Sequence, residues 1–225
     1  MKNSVQIMSV ELKRGVGYDV QVQSTQATVQ DYLDTLNQYI EAGTFTRTRS
    51  ETAICKGCDC CCHERIPLTL VDVLRLRKAV NSESSTISPT VAQYCHVAVE
   101  GAAVDIALAG GVDGQCIFLG EDTGCCQIYN YRPMVCQTYI CCPATQRAKA
   151  LRSLIVNLGE DELVRYWLAE IEAGQGQLVL HEAYEPNINP QDWIQNLFTG
   201  VTDYNQLKLK DICPDELWQS LYCGA

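Results

Sequence analysis

The 225-residue sequence predicts an α+β chain, with a cysteine-rich core of loops and short strands flanked by helices and a small N-terminal β-hairpin. Three observations predict it. Polar and apolar residues alternate near the N-terminus, and helical periodicity recurs behind capping signals on both sides of the middle. Most of the fourteen cysteines fall into two groups separated by short β-like runs and glycine turns.

Residues 4–12, SVQIMSVEL, alternate, and YDVQVQ at 18–23 alternates again after KRGVG, so a hairpin turning at Gly15 or Gly17 is expected. Thr28 and Asp31 have capping-box spacing, and Val29, Leu33, Leu36 and Ile40 follow at helical intervals until Gly43, predicting a helix over 28–42. Residues 44–53 lack periodicity and read as a linker into CKGCDCCCH at 55–63. Thr69 and Asp72 repeat the capping spacing and open a helix to about residue 80. The cysteine stretch therefore precedes a helix N-terminus, whose dipole favours thiolates.

Residues 81–89 read as a loop, and 91–119 as the short strands HVAVE, AAVDIALA and CIFL, with Gly110, Gly111 and Gly114 turning between them. Two helices are expected next, from Ala144 to about Asn157 and over 161–173; Leu163, Tyr166, Trp167 and Ile171 form a core stripe on the second. Pro190 and Pro214 open two short helices ending near Phe198 and Tyr222. The expected division is an N-terminal hairpin-and-helix extension at 1–50, a cysteine-cluster domain at 51–157, and a helical extension at 158–225.

Apolar residues make up 47% and charged residues 20%, enough for an ordinary buried core and against wholesale disorder. A net charge of -10 argues against nucleic acid or an anionic lipid surface as partner. The sequence contains no apolar run of the ~20 residues needed to cross a bilayer, and its first twenty residues lack the apolar core of a signal peptide. A cytoplasmic location is expected. In a reducing compartment clustered thiols point to metal or redox chemistry before disulfides.

Within the first group, Cys55, Cys58, Cys61 and Cys62 read C-x2-C-x2-C-C, with Cys60 as an extra thiol. Two-residue gaps let a tight loop aim successive sulfurs at one centre, so the pattern is specific for metal without naming the metal. Cys116, Cys125, Cys126, Cys136, Cys141 and Cys142 form the second group. His63, beside Arg65, is expected at the surface in preference to ligation. Arg132 is expected to pair with an acid in its turn, or else to offset thiolate charge. Tyr129, Tyr131 and Tyr139 fit either shielding of the centre or ordinary packing. Cys95, Cys213 and Cys223, isolated from the groups, are expected to be small buried hydrophobes.

Residues 55–142 resemble the YkgJ-like zinc- or iron-chelating family named for its CxxCxxCC motif. The resemblance rests on C55-x2-C58-x2-C61-C62, on IPLT with Asp72 and Arg75 opening the next helix, on CIFL at 116–119, and on CQIYNYRPMVCQTYIC at 126–141. It implies Cys55, Cys58, Cys61, Cys62, Cys116, Cys126, Cys136 and Cys141 as metal ligands. Cys60, Cys125 and Cys142 each adjoin a matched cysteine and could replace it. Gln137, Tyr139 and Ile140 depart from the family's usual Arg, Phe and Pro, and the lost Arg implies a different charge balance.

The downstream gaps supply no second C-x2-C pair for a zinc ribbon, whereas an iron–sulfur cluster accepts a remote fourth ligand. An iron–sulfur cluster is therefore favoured over Zn2+, and eight thiols could also serve two four-thiolate sites. The expected function is a binding, carrier, assembly or electron-transfer module, with a metal ion or cluster as partner and room for a protein partner. The alternative is an enzyme, since flagellin lysine N-methylases carry a similar motif, but neither G-x-G-x-x-G nor a P-loop is present. CKGC as a thioredoxin-like redox motif ranks last, because a polar linker stands where a strand should precede it.

Overall fold

The computed structural model describes residues 4–43, 58–111, 113–138 and 141–224. The expected linker at 44–53 and Cys55 lie outside them. The α+β class holds: among the described residues are seven α-helices, an N-terminal hairpin and a second small sheet. Their buried apolar side chains form one cluster running from Val5 to Leu221.

Strands β1 (Val5–Leu12) and β2 (Gly15–Val22) pair antiparallel from Val5↔Val22 to Leu12↔Gly15. The turn therefore falls at Lys13 and Arg14, just before the glycines that the sequence suggested. Gly17 is needed for packing: a Cβ there would stand 2.1 Å from the Pro143 carbonyl oxygen. Val5, Tyr18, Val20 and Val22 turn inward, and helix α1 (Val29–Ala42) packs against β1. The Thr28 capping box opens α1 and Gly43, in the left-handed region, closes it as predicted.

Helix α2 (Leu70–Ala79) also begins with the predicted capping box, formed by Thr69 and Asp72. Residues 66–68 lie along a neighbouring strand, with Leu68 N–H donating to the Ile106 carbonyl at 3.0 Å and Leu108 N–H to that of Ile66 at 2.8 Å. That strand is β4 (Ala103–Leu108), paired antiparallel with β3 (Cys95–Glu100) around Gly101. A third strand, β5 (Glu182–Tyr184), runs parallel to β3 with Ala98 opposite Glu182.

Helix α3 (Ser88–Tyr94) replaces part of the expected loop and strand. Pro89 fits its first turn, and the buried Glu170 carboxylate accepts the Ile87 and Ser88 N–H groups, supplying the cap that the local sequence lacks. CIFL is likewise no strand; its residues form a turn joined to neighbours by isolated bridges.

A short helix, α4 (Met134–Thr138), follows Pro133. The two helices expected after Ala144 are one continuous 27-residue helix, α5 (Gln146–Glu172), which packs against α2, α3, α4, β2 and β4. Gly159, between the two stretches expected as separate helices, is a close-approach site: a Cβ there would meet Thr69 Cγ2 at 2.5 Å. Of the helix expected from Pro190, only the 3-10 turn Pro190–Asp192 forms. Helices α6 (Leu209–Ile212) and α7 (Asp215–Leu221) end the chain, with α7 behind Pro214 as expected. Among the described residues no helix is long and apolar enough to cross a membrane.

Candidate metal centre

Cys60, Cys61 and Cys62 of the first thiol group sit on a 3-10 turn, Cys60–His63, closed by Cys62 N–H donating to the Asp59 carbonyl at 2.7 Å. The second begins where Cys116 N–H donates to the Cys62 carbonyl, also at 2.7 Å. This bond joins the two groups directly. From Cys116 the chain turns twice: Leu119 N–H returns to the Cys116 carbonyl at 2.9 Å, and Gln127 N–H reaches the Phe118 carbonyl at 2.8 Å. Leu119 thereby lies opposite Cys126, on the same small loop as Cys116.

Cys136 arrives on α4, whose start is fixed by Asp72. That carboxylate is buried; its Oδ2 accepts Thr69 N–H within the capping box, and its Oδ1 accepts Met134 N–H at 2.9 Å and the Tyr204 hydroxyl at 2.8 Å. One side chain therefore aligns the helix after the first thiol group with the helix carrying part of the second. The N–H groups of Thr69 and Asp72 go to the capping box, not to thiolates.

Arg132 does not pair with an acid among the described residues. Its Nε donates to the Tyr129 carbonyl at 3.0 Å, a second nitrogen reaches Asn37 Oδ1 at 3.4 Å, and the guanidinium lies 3.7 Å over the Tyr129 ring. Its charge adds to the lowering of Cys61 by the Cys62 thiol and partly offsets the burial that raises Cys126. Gln137 is buried and holds the Arg132 carbonyl at 2.7 Å while accepting from Asn37 at 2.8 Å. Tyr131 is exposed, and Tyr139 lies outside the described residues.

Electrostatic coupling identifies the sulfurs brought together. Cys62 feels Cys61, Cys116 and Cys126, and Cys136 feels Cys61, Cys116 and Cys126. Five predicted site residues thus share one field. Cys58 is half-buried and Cys141 buried, both within the described chain, while Cys55 lies outside it. Among the extra thiols, Cys125 adds to the field at Cys126, and Cys142 acts instead on Tyr18 of β2. His63 is exposed, as expected, with its Nε2 3.8 Å from Asp59 Oδ2. Cys95 and Cys213 are buried, with thiols pushed up to about 12 and about 11 by desolvation; Cys223, expected inside, is exposed.

Donor chemistry fits a thiophilic metal better than it fits permanently charged thiolates. Burial raises Cys116, Cys126 and Cys136, reinforced at each by the charge of Cys61. The Cys62 S–H hydrogen bond lowers Cys61 to about 6, and Cys62 is raised in turn. A bound cation would supply the charge that lets these buried thiols ionise together. Among the described residues no three His, Cys, Asp or Glu side chains already stand as a metal-binding group.

Asp72, Asn37 and Gln137 complete the site as supports. Capping spacing pointed to Asp72 as a helix start, but its bond to Met134 had no sequence signal, nor did Asn37's approach to Gln137. No curated protein and no solved structure matched the chain. Residues 54–154, which contain every clustered cysteine, match the CxxCxxCC family, described as a putative zinc- or iron-chelating domain, and metal binding is the activity that this match supports.

Proposed function

We propose that the chain is a cytoplasmic metal-binding protein of the carrier, assembly or electron-transfer kind. Its ligands are drawn from Cys55, Cys58, Cys61, Cys62, Cys116, Cys126, Cys136 and Cys141, with an iron–sulfur cluster favoured over Zn2+. The observation that carries this reading is the Cys62–Cys116 backbone bond, which brings two distant thiol groups into one electrostatic field.

When bound, the metal supplies a Lewis-acidic or redox centre. The chain's own residues prepare for it. Asp72 fixes the α2–α4 angle, Gln137 and Asn37 hold the Arg132 turn, and the Arg132 charge offsets thiolate repulsion. Cys60, Cys125 and Cys142 remain neighbours able to exchange with ligands.

Anaerobic purification with iron, zinc and acid-labile sulfide analysis tests the assignment. Iron and sulfide in comparable amounts with sulfur-to-iron visible absorption are expected. Stoichiometric zinc without sulfide would replace the cluster by Zn2+, and a metal-free protein with all thiols open to alkylation would end the reading.

A further inference from the structure

Beside the cysteine centre lies a cavity of about 240 Å³ that Cys116 shares as a wall with His63, Glu64, Arg65, His96 and Glu182. Two of these side chains already face each other. His96 on β3 and Glu182 on β5 stand with Nε2 3.4 Å from Oε1, a separation that two donors to one metal ion can adopt with little movement.

Strand register explains the pairing. Glu182 lies opposite Ala98, and His96 is two residues before Ala98, so both side chains project from the same sheet face. His181 backs the pair, its ring 5.1 Å from that of His96. Its Nδ1 accepts Val97 N–H at 3.0 Å, which places the neutral ring's proton on Nε2 and leaves His181 to position its neighbour without ligating. Arg65, the cation on the wall, is engaged by Asp105 at 3.0 Å.

We infer that His96 and Glu182 form an inlet site for a divalent cation, Zn2+ or Fe2+, which holds the hydrated ion at the cavity mouth before it passes to the cysteines. This inference rests on the cysteine centre being the destination. The chemistry runs downhill in one direction. Two protein ligands, one imidazole and one carboxylate, bind weakly and leave water on the ion, whereas several thiolates bind a thiophilic metal strongly. Exposure suits the role, since the Glu182 side chain is 70% accessible and that of His96 33%. At transfer each thiol that becomes a ligand releases its proton to solvent, and the vacated imidazole and carboxylate return to facing each other across 3.4 Å.

The test is stopped-flow loading of the full reduced apoprotein with limiting Co2+, read by sulfur-to-cobalt charge-transfer absorption. The His96→Gln and Glu182→Gln variants should each load about ten-fold more slowly, as expected on losing a focusing site at a cleft mouth, and reach the wild-type end point. Loading at the wild-type rate in both variants overturns the inlet. A lowered end point in a folded variant also overturns it, by making these residues part of the final site. Absence of charge-transfer absorption in the wild type would instead remove the cysteine centre itself.

Discussion

The Asp72 carboxylate accepts the Met134 N–H at 2.9 Å, so the residue that caps α2 also caps α4. Replacing it leaves buried donors from Thr69, Met134 and Tyr204 without their acceptor. Asp72→Ala should lose about 3 kcal/mol of stability, from a lost cap and unsatisfied buried donors, measured by urea unfolding of the apoprotein. Metal content should fall with it, because Cys136 loses its fixed helix.

Gly159→Ala separates helix propensity from packing. Alanine would gain about 1 kcal/mol in an open helix interior. Here its Cβ would stand 2.5 Å from Thr69 Cγ2 and 3.0 Å from Phe198 Cε1. A net loss of about 1–2 kcal/mol is expected in chemical denaturation; a gain would show that the α2–α5 contact gives way easily.

Among Cys61, Cys62, Cys116, Cys126 and Cys136, Cys61 should be the most readily alkylated near neutral pH. Its folded pKa, lowered from 9.0 to about 6 by the Cys62 S–H, means that its stabilising contribution is fully present above 9.0 and disappears as pH falls through about 6. Iodoacetamide labelling followed by peptide mapping should show a midpoint near 6 in the apoprotein. Cys62→Ala should move that midpoint toward the ordinary thiol value.

Glu160 has the opposite sign. Burial, followed by the charges of Asp105 and Asp161, raises its carboxyl from 4.5 to about 7. Ionisation therefore costs stability as pH rises from 4.5 through about 7, and no cost remains below 4.5. Glu160→Gln should exceed wild-type stability at pH 8 by on the order of 1 kcal/mol, allowing for solvent screening, and match it at pH 4.

Thiol replacement should distinguish the field-sharing cysteines from the others. Cys126→Ser and Cys136→Ser should reduce bound metal measured by mass spectrometry of the purified protein. Cys223→Ser, at an exposed position, should leave both metal content and melting temperature unchanged.

Local signals were readable in the sequence where they decide structure locally. Thr28 with Asp31, and Thr69 with Asp72, mark two helix starts because the bonds span three residues. Distant partners decided the rest. Ser88–Tyr94 is helical with Glu170 capping it from α5, Gly159 continues a helix because Thr69 and Phe198 press on it, and β5 exists by pairing with β3. The two thiol groups were visible as spacing. The Asn37–Gln137 bond joins residues 100 positions apart, too far for spacing to signal it.

The Cys62–Cys116 bond also sets a timetable for synthesis. Helices α2 and α3 and the β3–β4 hairpin are all translated between its two residues. At ribosomal rates of about 5–20 residues per second, the first thiol group waits several seconds for the second. The nascent chain thus passes through an interval with the first thiol group on display and the second not yet made, when a reducing surrounding matters more than it does for the finished protein.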